Sequence, residues 1–213
     1  MTPARVAIDP AAPSPAALAE AARVVAAGGV IAWPTEHFYA LGCDPANRAA
    51  VARLFTLKGR RMDKPALLAI ATREALAGLI ASVPAGAEKL VAVWPGGLTI
   101  LFPAAPSVPP GIRSGAGTVG IRLIRDAPAA AILRACGGVL TATSANPSGR
   151  PASGDPERVI RDLPGVDLVL DAGPLPAGGH STLLDVTRTP WRIRRAGMAP
   201  AAALAAFGPI ADL

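Results

Sequence analysis

A cluster of basic residues is the first group of side chains that could do chemistry. Lys58, Arg60, Arg61 and Lys64 lie at the end of a predicted helix and in the loop that follows it. Positive charge at a helix C-terminus also has a purely structural use, where it contributes roughly 0.3–1 kcal/mol. Four cations at this density, beside a proline-bounded loop, favour phosphate binding over that structural use.

A second cluster, of hydroxyl and amide side chains, follows a predicted buried strand. The sequence from residue 140 is LTATSANPSG, with Ser144 and Asn146 at its centre. Asn-Pro-Ser-Gly is well suited to a turn. Ligands of α/β proteins bind where strands end, so the same residues also suit a binding site. The two interpretations are compatible.

Several familiar sites are excluded or disfavoured. The string from Gly115 to Gly120 matches GxGxxG, but it follows a proline-rich loop and begins a strand, which argues against a dinucleotide site. There is no GxxxxGK[ST] motif. His180 and Ser181 are adjacent and would point to opposite faces of a strand, so a Ser-His-Asp hydrolase is disfavoured. The two histidines, His37 and His180, are too few for a metal site, and none is predicted.

The composition indicates the class of protein and the charge of its binding partner. The 213 residues are 51% hydrophobic and 17% charged, which excludes a disordered chain. The formal net charge of +6 suggests an anionic partner such as nucleotide, phosphate or RNA. The two cysteines form no CxxC motif and fit a reducing compartment. With neither a signal peptide nor a membrane span visible in the sequence, we expect a cytoplasmic protein.

Helices and strands alternate along the chain. The pattern therefore predicts the α/β class, with a twisted mixed sheet and flanking helices. We expect one domain over residues 1–213, with a motif core over about 14–198 and an Ala-rich tail over 199–213. Helices are predicted after Ser14, Asn47, Thr72 and Asp155 and over residues 126–136. Strands are predicted over residues 30–33, 66–71, 98–102, 119–123, 139–143, 166–170, 182–186 and 191–194.

Seven short motifs occur in an order that is found in one known family. They are PTEHFYALG from residue 34, KGR from 58 with KP from 64, WPGGLT from 94, VGIR from 119, TSANPSG from 143, HSTLLD from 180 and IRRAG from 193. In these motifs the chain resembles the YrdC-domain family of threonylcarbamoyl-AMP synthases. The resemblance covers about residues 30–198, and the combination of KxR with SxN is specific to that family.

This resemblance implies a fold and a reaction. The fold would be YrdC-like, with a basic concave surface. The enzyme would be a nucleotidyltransferase that makes L-threonylcarbamoyladenylate from L-threonine, bicarbonate and ATP and releases pyrophosphate. Mg²⁺ would arrive with ATP, because the sequence offers no cage of protein ligands for it. A threonylcarbamoyl transferase complex would then modify a tRNA adenosine next to the anticodon, and tRNA or other RNA is a further possible partner.

The resemblance also assigns site residues. For ATP binding they are Lys58 and Arg60, which are also the catalytic pair, together with Thr118, Ser144, Asn146, Ala152 and Arg195. For L-threonine they are Thr35, Arg122, Ala142 and Ser181. The residue types suit the chemistry, because fixed cations offset the repulsion between two anionic substrates and stabilise the departing pyrophosphate. Arginine is suited to bidentate capture of a carboxylate.

The chain differs from the family pattern at three positions. His37 stands where a threonine is usual, Ala40 where a glycine is usual, and Gly97 where a proline is usual. The bulkier His37 is expected to alter the threonine pocket. The alternative function is a YrdC or YciO type of RNA-binding or ribosome-associated module without synthase activity. Aromatic residues make up only 4% of the chain, which argues against base stacking on single strands.

Overall fold

Polar caps begin three of the helices, as the sequence predicts. The computed structural model describes residues 2–94, 96–125 and 127–211. Ser14 accepts a hydrogen bond from the backbone N–H of Ala17 at 3.2 Å, which satisfies one of the donors left free at a helix start. The capped helices are α1 (Pro15–Ala26), α2 (Arg48–Lys58, capped by Asn47) and α5 (Pro156–Asp162, capped by Asp155).

The strands form two mixed sheets. The first has the order β1 (Ala4–Ala7), β9 (Leu168–Asp171), β2 (Ile31–Pro34), β3 (Tyr39–Gly42) and β8 (Thr143–Ser144). The second has the order β11 (Arg192–Arg195), β10 (Thr182–Asp185), β5 (Leu98–Pro103), β6 (Thr118–Leu123), β4 (Leu68–Ile70) and β7 (Val139–Thr141). Both sheets combine parallel and antiparallel pairs. The predicted mixed α/β class is confirmed.

The other helices cover the sheets. They are α3 (Glu88–Val93), α4 (Ala127–Ala135) and α6 (Ala201–Ala205), with a 3₁₀ turn at Arg73–Leu76. Helices α1 and α4 pack on each other and on β2, and their apolar faces form one core with Trp33, Ile31 and Leu168. A larger core lies around Leu54, Ile100 and their neighbours. With few aromatic residues, both cores are built mainly from aliphatic side chains.

The predicted strand over residues 139–143 is wrong as one element. It is split into β7 and β8, which belong to different sheets, and Ala142 is the residue between them. The backbone N–H of Ala142 donates to Leu67 O at 2.8 Å, while Thr143 pairs with Leu41 in the first sheet. The strand pattern of residues 139–143 gives no signal for such a change of sheet. The hydroxyl-rich segment therefore starts at the junction of the two sheets.

Other differences from the predicted elements are local. Strands β1 and β3 and helix α3 were not predicted, and Thr72 precedes a 3₁₀ turn instead of a helix. The predicted loose helix in the tail is the short α6. Asp126 of the predicted helix over 126–136, Pro95 of the WPGGLT motif, and residues 212 and 213 of the tail lie outside the described residues.

Candidate functional site

A pocket opens where the two sheets meet. The first sheet contributes residues of β3 and β8, and the second contributes residues of β4, β5 and β6. The loop between β2 and β3 and the segment before β10 form the rim. The lining residues are Thr35, His37, Phe38, Tyr39, Ala40, Arg60, Leu67, Leu68, Thr99, Arg122, Ile124, Ala142, Thr143, Ser144, Gly179, His180, Ser181 and Arg195.

Most of the residues singled out by the sequence meet in this pocket, although they come from distant parts of the chain. Those that line it are Thr35, Arg60, Arg122, Ala142, Ser144, Ser181 and Arg195. The remaining four, Lys58, Thr118, Asn146 and Ala152, are outside the lining. The assignment of each residue to ATP or to L-threonine stays a prediction.

Lys58 lies behind the pocket wall. It is the last residue of α2, only 2% exposed, and its helical spacing from Leu54 and Phe55 turns it toward the core. Its Nζ donates to the backbone carbonyls of Ser144 and Asn146, the latter at 2.6 Å. Burial, and then the nearby Arg60, lower the pKa of Lys58 to about 7. The ammonium group therefore braces the SxN segment from inside the protein.

Arg60 reaches the pocket after a sharp turn. The left-handed conformation of Gly59, with φ of 56°, ends α2 and redirects the chain. The Arg60 side chain donates from Nε to Lys64 O at 2.7 Å and from Nη2 to Pro65 O at 3.0 Å. Burial lowers the pKa of this guanidinium. Arg60 is thus a partly desolvated cation, fixed by two backbone carbonyls at the pocket wall.

Asn146 is buried beside the pocket wall. Its Nδ2 donates to Pro147 O at 2.8 Å and to Arg150 O at 2.6 Å. Its Oδ1 is buried and has no hydrogen-bond partner within the described residues. Ala152 follows in the same loop, and the next residue, Ser153, accepts from the backbone N–H of Tyr39 at 3.0 Å. Asn146 and Ala152 therefore belong to one loop that is tied back to β3.

Arg122 is joined to the loop between β2 and β3 by an ion pair at the pocket wall. Arg122 Nη2 lies 2.5 Å from Glu36 Oε2, and these two side chains are only 15% and 26% exposed. The hydroxyl of Thr35 donates to Phe38 O at 2.6 Å, which closes the loop. The ion pair holds the Arg122 guanidinium at the wall, where its remaining N–H groups are suited to a second carboxylate.

A polar cluster that includes an unpredicted residue forms the floor of the pocket. Ser181 Oγ lies 2.6 Å from Thr99 Oγ1. Arg195 donates to Ser181 O from Nη2 at 2.8 Å and from Nε at 3.2 Å, and its Nη2 is also 3.3 Å from Ser181 Oγ. Burial, and then Arg122, lower the pKa of Arg195. Thr99 falls within the WPGGLT motif, which was the one sequence signal for it.

Two rings and a glycine-rich segment close the rim. Phe38 and His180 stack with their centroids 4.8 Å apart. Burial, and then Arg195, lower the pKa of His180. His37 Nδ1 lies 3.2 Å from Pro176 O. A Cβ placed on Gly178 would lie 2.2 Å from His37 Cγ, so the chain passes directly against this ring.

Thr118 lies in a second cavity next to the first. Thr118, Gly120 and Arg122 alternate along β6 and therefore share one face of the sheet. Thr118 and Gly120 line the second cavity, Arg122 lines the pocket, and Leu67 lines both. Thr118 Oγ1 is 2.8 Å from Ser114 Oγ. The two cavities are therefore neighbours along one surface.

The described residues contain neither a candidate metal site nor a membrane-spanning helix. No group of three or more His, Cys, Asp or Glu side chains in the described part of the chain could hold a metal ion. Over the same residues, no helix is long and apolar enough to cross a membrane.

Comparison with known proteins agrees with the motifs. The Sua5/YciO/YrdC family model, described as telomere recombination, matches residues 23–197. A protein of Nitrosococcus oceani named threonylcarbamoyl-AMP synthase is 37% identical over 176 residues, which cover 82% of this chain and 95% of that protein. One of the same name from Halorhodospira halophila is 45% identical over 124 residues, which cover 58% of this chain and 65% of that protein.

A solved structure is similar over nearly the whole chain. It is Sua5 of Pyrococcus abyssi complexed with L-threonine, which has a TM-score of 0.88 and 30% identity. The similarity covers 99% of this chain and 62% of that one. This chain thus spans somewhat less than two thirds of both the Pyrococcus protein and the Halorhodospira relative.

Proposed function

The chain belongs to the Sua5/YciO/YrdC family, and we propose that it is an L-threonylcarbamoyladenylate synthase. The reaction joins L-threonine, bicarbonate and ATP and releases pyrophosphate. Relatives with this activity in their names, and a Sua5 structure holding L-threonine, support the proposal. We propose further that the product passes to a threonylcarbamoyl transferase complex that acts on tRNA.

One observation from the structure carries this proposal. Three guanidinium groups, those of Arg60, Arg122 and Arg195, line one pocket, and among the described residues its lining includes no Asp or Glu. Burial lowers the pKa of two of them, Arg60 and Arg195. Arg122 is paired with Glu36, whereas the printed contacts of Arg60 and Arg195 are with carbonyl and hydroxyl oxygens, so positive charge remains in the pocket and suits anions. The reaction requires such a site, because a carboxylate, bicarbonate and a triphosphate must meet there.

L-threonine is assigned to the side of the pocket that contains Arg122. Its carboxylate would bind the guanidinium edge that Glu36 leaves open, and the Ser181 hydroxyl would donate to it. Thr35 and Ala142 also line the pocket and would contact the substrate through the loop and the backbone.

ATP is assigned to the side that contains Arg60, Ser144 and Arg195. The phosphates would lie against these donors, with Asn146 and Ala152 in the loop behind them. The neighbouring cavity beside Thr118 would hold the rest of the nucleotide. Mg²⁺ would be bound mainly by the phosphate oxygens.

The chemistry then has two steps. The threonine amine attacks the carbon of bicarbonate, and loss of water leaves a carbamate. A carbamate oxygen attacks the α-phosphorus of ATP, the bond to the β-phosphate oxygen breaks, and pyrophosphate leaves. The protein contributes mainly by holding three reactants together and by stabilising the charge that develops on pyrophosphate.

The test is a pyrophosphate-release assay with ATP, labelled bicarbonate and L-threonine. Release that stops when either bicarbonate or L-threonine is omitted, with label in the adenylate product, supports the synthase. Absence of that release, with RNA binding retained, would favour the RNA-binding alternative and overturn the proposal.

A further inference from the structure

Two hydroxyl groups at the pocket floor, those of Thr99 and Ser181, are hydrogen-bonded to each other. Thr99 is fully buried, Ser181 is 5% exposed, and their hydroxyl oxygens are 2.6 Å apart. Such a pair shares one hydrogen bond, which either hydroxyl could donate. The surroundings of the two residues decide which one does.

The first constraint comes from Arg195. A guanidinium can only donate, and Arg195 Nη2 is 3.3 Å from Ser181 Oγ. Ser181 Oγ therefore accepts a hydrogen bond from that side. The Nη2 group also holds Ser181 O at 2.8 Å, so its position is set by the backbone of the same residue.

The second constraint comes from Thr99. Within the described residues, Ser181 Oγ is the hydrogen-bond partner recorded for the Thr99 hydroxyl. A buried donor without an acceptor carries a desolvation cost, which is why such donors are nearly always paired. The Thr99 proton therefore points to Ser181, and Ser181 accepts two hydrogen bonds.

We propose that Thr99 is a positioning residue, which together with Arg195 turns the Ser181 O–H proton into the pocket. With both acceptor sites of Ser181 occupied by protein donors, its own proton is available to an anionic oxygen of the substrate. This inference rests on the proposed function, in which that oxygen belongs to the L-threonine carboxylate. Thr99 acts through Ser181 and does not itself need to touch the substrate.

The direct test is Thr99→Val, which keeps the β-branched shape and removes the hydroxyl. Ser181 is then free to rotate its proton away from the pocket. We expect the KM for L-threonine to rise about 3- to 10-fold, within the range for one hydrogen bond, while the KM for ATP stays unchanged. Thr99→Ser, which restores the hydroxyl, should return the KM for L-threonine to within about twofold of wild type.

A double-mutant cycle separates positioning from packing. In a Ser181→Ala background there is no proton to orient, so adding Thr99→Val should not change the KM for L-threonine further. Thr182→Val is a matched control, because Thr182 is equally buried and its hydroxyl donates to Ala199 O instead. Its KM for L-threonine should equal that of the wild type.

The outcomes are distinct. If the wild type is active, any of three results overturns the role of Thr99 but leaves the proposed function intact. These are an unchanged KM for L-threonine in Thr99→Val, equal rises in the KM values for L-threonine and ATP, and effects that add to those of Ser181→Ala. A wild type without threonine-dependent pyrophosphate release overturns the proposed function, and this inference with it. If Thr99→Val does not fold, Thr99→Ala is used for the same comparison.

Discussion

Arg122 Nη2 lies 2.5 Å from Glu36 Oε2 across the proposed amino-acid end of the pocket. The two residues are 86 positions apart in the sequence, and their contact joins the loop after β2 to the middle of the second sheet. One edge of the guanidinium is therefore fixed by the protein. The planar fork that remains is preorganised for a carboxylate, which a flexible ammonium group would not be.

Replacing Arg122 by lysine should therefore weaken L-threonine binding specifically. Arg122→Lys keeps the charge but cannot hold Glu36 and a second carboxylate with the same geometry. We expect the KM for L-threonine to rise about 10- to 100-fold, while the KM for ATP changes less than about threefold. Steady-state pyrophosphate release with each substrate varied in turn measures both. Equal losses for the two substrates would contradict the assignment of Arg122.

Lys58 should be essential, because it holds the SxN loop at the pocket wall. Its Nζ bonds to the carbonyls of Ser144 and Asn146, so Lys58→Ala removes both the brace of the SxN loop and its charge. We expect pyrophosphate release to fall at least about 100-fold, with a far-ultraviolet circular dichroism spectrum like that of the wild type. Lys64→Ala, an exposed lysine of the same basic cluster, is the control and should retain activity. Activity that survives in Lys58→Ala would show that the brace is dispensable.

The charge of Lys58 should also make ATP use depend on pH. Burial and Arg60 lower the pKa of Lys58 to about 7. The ammonium is therefore present below pH 7 and is lost as the pH rises through 7. Because kcat/KM reports groups of the free enzyme, kcat/KM for ATP should decline above about pH 7. The Lys58→Arg variant stays charged over this range and should lack that decline. A wild-type profile that stays flat from pH 6 to 9 would contradict the prediction.

Local signals in the sequence were sufficient to predict part of this site. The helix predicted after Asn47 is confirmed as α2, in which Val51, Leu54, Phe55 and Lys58 lie at helical spacing and are all buried. The helix caps at Ser14, Asn47 and Asp155 could be predicted from the neighbouring residues alone. The motifs contain most of the residues that line the pocket.

The rest of the site could not be predicted, because it depends on contacts between residues that are far apart in the sequence. Ser181, the hydrogen-bond partner of Thr99, is 82 positions away in the sequence. The sequence around Thr99 does not indicate that its hydroxyl will contact a serine at that distance. The change of sheet at Ala142 likewise depends on contacts with Leu67 and Leu41. The sequence of residues 139–143 does not reveal these contacts. The phosphate role of Lys58 stays a prediction, and only the structure shows that its Nζ also holds the backbone of Ser144.

Gly197 should not tolerate a larger residue, because it packs directly against the backbone of residues 180–182. A Cβ there would lie 2.3 Å from His180 O and 2.5 Å from the backbone of Ser181 and Thr182. Backbone cannot move aside as a side chain can, so Gly197→Ala must displace the start of β10. We expect the free energy of unfolding to fall by about 2–4 kcal/mol and L-threonine binding to weaken. Urea denaturation and calorimetry with L-threonine measure these. Gly115→Ala, which meets no atom within 4 Å, should behave as wild type.

The contact between Gly178 and His37 offers a test of how the rim is held. A Cβ on Gly178 would lie 2.2 Å from His37 Cγ and 2.3 Å from Nδ1, the atom that approaches Pro176 O. Gly178→Ala must therefore shift either the imidazole ring or the segment that leads to His180 and Ser181.

We expect the shift in Gly178→Ala to raise the KM for L-threonine about 5- to 30-fold, the size of coupling usual for residues in contact. The smaller side chain in His37→Ser removes the clash, so the double variant should recover most of the loss, while His37→Ser alone should change the KM little. Steady-state kinetics on the four proteins of this cycle measure the coupling. If the effects of the two substitutions simply add, the ring and the glycine segment are independent, and His37 has no part in shaping the threonine end of the pocket.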